Sequence, residues 1–169
     1  MSMPEELKGF SGSLAMRVYE ALLKRLQKHE EFGMISLEIP QPLTFVEADK
    51  YYPIPGTFSV NPALLNNFEL SSDGKLTYTG EGKRVVIGGT TDLQISGVGV
   101  AKVTYGLFKN DEVLPRAETP HDFEVVNSHE NFSVTGADIA EKGDVYQVYA
   151  QCDDAGRTIN PTTLNVIFA

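Results

Sequence analysis

The hydrophobic pattern changes period once along the chain. From Ser13 to about Glu31, Leu14, Val18, Leu22 and Leu26 recur every four residues, with Met16, Tyr19 and Leu23 widening the stripe. Arg17, Glu20, Lys24, Gln27, Lys28 and Glu31 form the opposite face, and Glu20 precedes Lys24 in the favourable i,i+4 order. The pattern predicts an amphipathic helix ended by Gly33, roughly 28 Å long at 1.5 Å per residue. So wide an apolar stripe has to be covered, either by the chain's own β domain or by another copy or partner.

After Gly33 the period falls to two. Ile35, Leu37 and Ile39 alternate and stop at Pro40 and Pro42, and Leu43 to Val46 reads as a second short strand. Lys50 to Val60 is limited by Pro53, Pro55 and Gly56 to an edge strand or an irregular extended segment, and Asn61-Pro62 reads as a turn. The hairpin signal is strongest next, where Phe68 and Leu70 alternate into Ser72-Asp73-Gly74, and Leu76 and Tyr78 alternate out. Arg84 to Ile87 predicts a short strand broken by Gly88-Gly89, with Leu93 and Ile95 resuming beyond it.

Val98 to Lys109 is the longest apolar run. It places Ala101, Val103, Tyr105 and Leu107 on one side and closes at Asn110-Asp111, which predicts a core strand entering a turn. Val113-Leu114 stops at Pro115, Phe123 to Val126 and Phe132 to Val134 follow, and Lys142-Gly143-Asp144 launches Val145 to Ala150. Asp153 to Gly156 and Asn160-Pro161 read as polar loops, and the last strand carries Leu164, Val166 and Phe168 on one side. So apolar a final strand is expected to be central, since an exposed one invites edge-to-edge aggregation. Eight or nine strands from Phe68 onward, with no helical period among them, predict a sandwich or barrel and exclude a parallel α/β sheet.

Charge sharpens this division. The formal net charge is −9, yet residues 1–33 balance five basic against five acidic side chains, so the whole imbalance falls on the β region. An acidic surface repels phosphate backbones and argues against nucleic acid as a partner. Cys152 is the only cysteine, which rules out an intrachain disulfide and fits a reducing cytosol. No signal peptide is expected at the polar, acidic start, and no apolar run approaches the roughly 20 residues of a membrane span.

No catalytic motif emerges. His121-Asp122 and His129-Glu130 match no metal-ligand spacing, and Asp153-Asp154 and Asp111-Glu112 lack the calcium-loop pattern. Gly9-Phe10-Ser11-Gly12 misses the nucleophile elbow by one position, and Gly97 to Ala101 lacks the third glycine of a dinucleotide turn. The reading is of a chain without cofactor or metal that acts by binding, not as an enzyme.

From about Phe68 to Ala169 the sequence resembles the trimeric jelly-roll domains of bacteriophage virion proteins, relatives in shape of the tumour-necrosis-factor-like fold. The resemblance is carried by FELSSDGKLTYTGEGKRVVI, VTYGLFKNDEVL, IAEKGDVYQVYAQC and TTLNVIFA. It implies an antiparallel jelly-roll β-sandwich at 68–169, after an N-terminal helical anchor at 1–33 and extended connector or edge strands at 34–67. It also implies a homotrimeric capsid decoration (cement) protein, made in the host cytoplasm and bound to the major capsid protein on the virion exterior. Contacts to capsid or neighbouring subunits are expected at Leu14, Val18, Leu22 and Leu26 of the helix and at Tyr51 and Tyr52. Leu164, Val166 and Phe168 are expected at the core or the three-fold axis. The alternative is a receptor- or glycan-binding tip of a head fibre or tail, with a host surface glycan as partner.

Overall fold

The structure, a computed structural model, describes residues 32–96, 100–124 and 129–168. The helix expected around Leu14, Val18, Leu22 and Leu26 lies outside the described residues, as do the motifs at Gly9 to Gly12 and at Gly97 to Gly99. Twelve strands are found among the described residues. In chain order they are β1 (Phe32–Pro40), β2 (Leu43–Thr44), β3 (Tyr52–Pro53), β4 (Gly56–Asn66), β5 (Phe68–Leu70), β6 (Leu76–Tyr78), β7 (Lys83–Ser96), β8 (Ala101–Lys109), β9 (Glu112–Phe123), β10 (His129–Ala140), β11 (Val145–Cys152) and β12 (Thr158–Phe168). They form two antiparallel sheets. Sheet I runs β10-β7-β12-β1-β4 with β2 added to β12, and sheet II runs β5-β6-β11-β8-β9 with β3 added to β11.

Alternation in the sequence becomes alternation in burial. In β11 the inward set Tyr146, Val148, Ala150 and Cys152 is buried, and Val145, Gln147, Tyr149 and Gln151 face outward. In β8 the set Ala101, Val103, Tyr105 and Leu107 is buried, and the strand lies between β11 and β9. The terminal strand β12 is central, between β7 and β1. Its Phe168 reaches across to Phe68 and Tyr146 of sheet II, with ring centroids 4.7 and 5.3 Å away. Tyr105 and Phe123 of sheet II meet Phe132 of sheet I in the same way, at 6.0 and 5.8 Å. These aromatics join the two layers into one core, since each buries well over 100 Å2 of surface.

In the 34–67 segment, expected as a connector or edge strands, β4 is an edge strand of sheet I and β2 and β3 each pair with a single neighbour, whereas β1 is an interior strand bonded to β12 on one side and β4 on the other. Asn61-Pro62, expected as a turn, lies within β4, where the pairing with β1 slips from Gly33↔Leu65 to Ile35↔Val60. Extra residues in one strand of a pair make a bulge, a position that tolerates proline.

Three other expected breaks are also absorbed. Gly88-Gly89 does not interrupt β7, which pairs continuously with β10 from Lys83 to Gln94. Gly89 faces the core, where an added Cβ would sit 3.3 Å from Val134 and close to Leu107 and Tyr105. Its missing side chain makes room for neighbours instead of ending the strand. Pro115 lies inside β9, an edge strand of sheet II. Asn160-Pro161 lies inside β12 at the register shift between Pro161 and Thr163. The expected hairpin stands: β5 and β6 pair in register, and Gly74 takes φ +82°, the left-handed conformation glycine enters freely.

Candidate functional site

The outer face of sheet I is unusual for so acidic a chain. Where β1, β12, β7 and β10 lie side by side, register aligns Met34, Ile167, Gly88 and Thr135 in one row. The next row is Ser36, Asn165, Thr90 and Ser133, closed on one side by a 2.7 Å hydrogen bond from the Ser36 hydroxyl to Asn165 Oδ1. Toward the β7–β10 end, Val86 stands opposite Ala137 and Arg84 opposite Ile139. Val86, Ile139 and Ile167 are 52%, 65% and 41% exposed, so large apolar side chains stand in solvent at one corner of an otherwise small and polar face. Across these four strands the outward positions carry few charges: Glu38, Arg84 and Asp92. Scattered surface hydrophobics need no explanation, but a cluster set in a charge-poor sheet face is a candidate interaction surface.

The outer face of sheet II is built differently. Tyr51 packs edge-on to Phe108 at 4.8 Å, and Phe108 stacks on Tyr149 at 4.2 Å. Tyr51 donates its hydroxyl to Glu118, and Tyr149 donates to Asp111 at 2.9 Å. Burial, reinforced by donation to Asp111, pushes the Tyr149 phenol up to about 12, and the same two causes raise Tyr51. The Tyr52 hydroxyl accepts from the Glu47 amide at 3.0 Å, and its ring meets Phe45 edge-on at 6.1 Å. Tyr51 and Tyr52, expected as contact residues, are thus both engaged within the chain.

A charged latch closes one end of the sandwich. Lys109 Nζ donates to Asp138 at 2.7 Å, to Asp144 at 2.8 Å and to the Ile139 carbonyl at 3.1 Å, tying β8 to β10 and to the turn before β11. Tyr146 donates to Asp138 at 2.7 Å, and Asn110 donates to Asp144 at 2.9 Å. Burial alone pulls the ammonium down, but the hydrogen bonds to the two carboxylates outweigh it and the net shift is upward. For Asp144 burial pushes upward, and Lys109, the Glu141 amide and Asn110 together overcome it, leaving the carboxyl below its usual value. Both groups are therefore held charged, which suits a structural ion pair and not a proton-transfer dyad. Nothing in the sequence signals this cluster, because its members lie about thirty residues apart and meet only through strand pairing.

The remaining expected positions are placed as follows. Leu164, Val166 and Phe168 face the interior of the sandwich and are buried within the single chain. Cys152 is buried, and burial raises its thiol pKa, which leaves an unreactive thiol. His121 meets Glu130 at 3.3 Å and packs edge-on to Phe123 and Phe132. Among the described residues no three His, Cys, Asp or Glu side chains converge as a metal site.

No protein-family model matches the sequence, and no curated protein does. The fold has solved counterparts. The structure of Eiger TNF from S. frugiperda superposes with a TM-score of 0.51 over 82% of this chain and 92% of that one, at 11% identity. The crystal structure of rabbit GITRL superposes with a TM-score of 0.40 over 79% of this chain and 90% of that one, at 15% identity. At 11% identity the likeness to Eiger TNF speaks to architecture alone. With its two antiparallel sheets, this chain has the jelly-roll fold of the tumour-necrosis-factor-like proteins.

Proposed function

We propose that this chain acts by binding rather than catalysis, as a jelly-roll subunit that associates with copies of itself through the outer face of sheet I. The carrying observation is the corner formed by Val86, Ile139 and Ile167 on a face with few charges, in a chain of net charge −9. Elsewhere like charge keeps copies apart; here they can approach. Hiding these side chains supplies on the order of 5 kcal/mol per copy. Association costs about 4–15 kcal/mol in lost rigid-body freedom. The corner alone is too small, so the small polar rows around Ser36, Asn165, Thr90 and Ser133 belong to the same interface. A three-fold arrangement follows the family resemblance of the sequence, which supports the further reading of a virion decoration protein held on the capsid by several weak contacts per trimer.

Sedimentation velocity of the full chain tests the first step. A trimer that reverts to a folded monomer on changing both Val86 and Ile167 to Glu supports it, and a wild-type monomer at every concentration overturns it. Cryo-electron microscopy of the virion tests the second step, which falls if no copy lies on the capsid exterior.

A further inference from the structure

Where β11 of sheet II meets the start of β4 at the edge of sheet I lies a cleft of about 370 Å3, within the roughly 300–1,000 Å3 of small-molecule sites. Its floor is the outward pair Gln147 and Tyr149 of β11, one wall is the loop from Pro53 to Gly56, and the other is the hairpin turn with Ser72, Asp73 and Lys75. Gln41 stands at its rim. Both walls are fixed in place. Gly74 lies so close to the Phe58 ring that an added Cβ would come within 2.4 Å, and Gly56 lies equally close to Leu37. Gln147 Nε2 donates to the Asp73 carbonyl at 2.9 Å, binding the turn to the floor. Because that acceptor is a carbonyl, the donor must be the amide nitrogen, so the amide orientation follows.

The lining selects the ligand. Asp73 is held by the Ser71 hydroxyl and by Lys75 at 3.4 Å, so the charges of the turn already compensate one another and offer no counter-ion to a phosphate or an amine. The Tyr149 hydroxyl is committed to Asp111, which leaves its ring as the contribution to the cleft. An aromatic ring beside amide and hydroxyl groups, without net charge, fits a neutral ligand with an apolar face and a hydroxyl-studded edge. We propose that this cleft binds a neutral pyranose sugar, with room for roughly one or two rings. The proposal gives a site to the glycan-binding alternative and does not rest on self-association, since the cleft and the apolar corner share no residue.

Saturation-transfer NMR on the full chain tests it, with methyl glucoside, methyl galactoside, N-acetylglucosamine and the β-linked disaccharides of glucose and N-acetylglucosamine as probes. At about 10 mM sugar a site with Kd near 1 mM is almost filled. At least one probe is expected to receive saturation, and the backbone amides of Ile54, Gly56, 71–75 and 147–149 to shift while those of sheet I's outer face stay still. Tyr149→Ala should weaken binding at least about tenfold and Tyr149→Phe less than about twofold. Changing salt should alter affinity less than about twofold, as for an uncharged ligand. Binding retained when Val86 and Ile167 are both Glu would separate this site from the association face. No transfer to any probe, shifts confined to other surfaces, or undiminished binding by a folded Tyr149→Ala chain would overturn the proposal.

Discussion

The outer faces of the two sheets descend from the same alternating pattern and are put to different uses. On sheet II the outward aromatics are tied down inside the chain: Tyr51 to Glu118, Tyr149 to Asp111, both rings against Phe108. On sheet I the outward Val86, Ile139 and Ile167 stand exposed among small polar side chains. An aromatic with a polar tip can be satisfied by one carboxylate in its own chain, whereas an aliphatic group is satisfied only by removing water from it. The face that looks less sticky by composition is therefore the one that leaves aliphatic side chains in water.

The largest effect should come from the interior that both faces share. Phe168→Ala empties the space between Phe68 and Tyr146 and should cost about 3–5 kcal/mol of unfolding free energy in a urea titration. If Phe168 instead lined a subunit axis, the loss would vanish at protein concentrations where the chain is monomeric.

Next comes the exposed corner. Ile167→Glu should weaken self-association by about 10–100-fold, equivalent to about 1.4–2.8 kcal/mol, while leaving the circular dichroism spectrum unchanged. A matching charge placed on the opposite face, Gln151→Glu, should leave the sedimentation coefficient as it was.

The latch joining the two layers ranks third. Lys109→Met strands Asp138 and Asp144 beside each other and should cost about 1–3 kcal/mol. Because the folded Asp144 carboxyl lies below its ordinary value of 3.8, its contribution is present above that value and is lost as pH falls through the folded one. The raised Lys109 ammonium contributes fully below its ordinary 10.5 and loses that contribution as pH rises through the folded value. Both limbs of the stability-versus-pH curve should flatten in Lys109→Met.

The smallest effects concern tyrosines of sheet II. Tyr105 buries a hydroxyl that has no hydrogen-bond partner among the described residues, so Tyr105→Phe should be neutral or stabilise by up to about 1 kcal/mol. Ultraviolet titration should find Tyr149 ionising near pH 12, and Asp111→Asn should lower it only in part, since burial is the larger cause, with little change in melting temperature. Since the folded phenol is raised, this group's stability contribution is complete below about pH 10 and disappears as pH climbs through the folded value.

Much of the sandwich was legible before any coordinates. The one-sided set of β8, the Asp73-Gly74 hairpin and the central position of β12 follow from period-two burial and turn chemistry. What was not legible was whether a breaker ends a strand. Gly88-Gly89, Asn61-Pro62, Pro115 and Asn160-Pro161 all read as interruptions, and all lie inside strands. A glycine in a strand costs roughly 0.5–1 kcal/mol. Pairing on both flanks and burial on one face outweigh that, and a bulge or an edge removes much of the penalty on proline.

The exposed apolar corner was hidden for another reason. Val86 belonged to an apparently all-apolar run and Ile167 to an apolar terminus, and neither announces which side of its strand meets water. The cleft and the latch unite residues whose nearness depends on strand order.

Sequence alone determined that this is a β chain, where its alternation runs, that its charge is acidic outside residues 1–33, and that no recognised catalytic spacing is present. Tertiary structure decided which strands are neighbours, which prolines and glycines a sheet can absorb, and which apolar side chains remain outside. Alternation is a property of one strand and is written locally, whereas neighbourhood depends on closure among segments far apart in the chain, whose separate energies are too small to read one at a time.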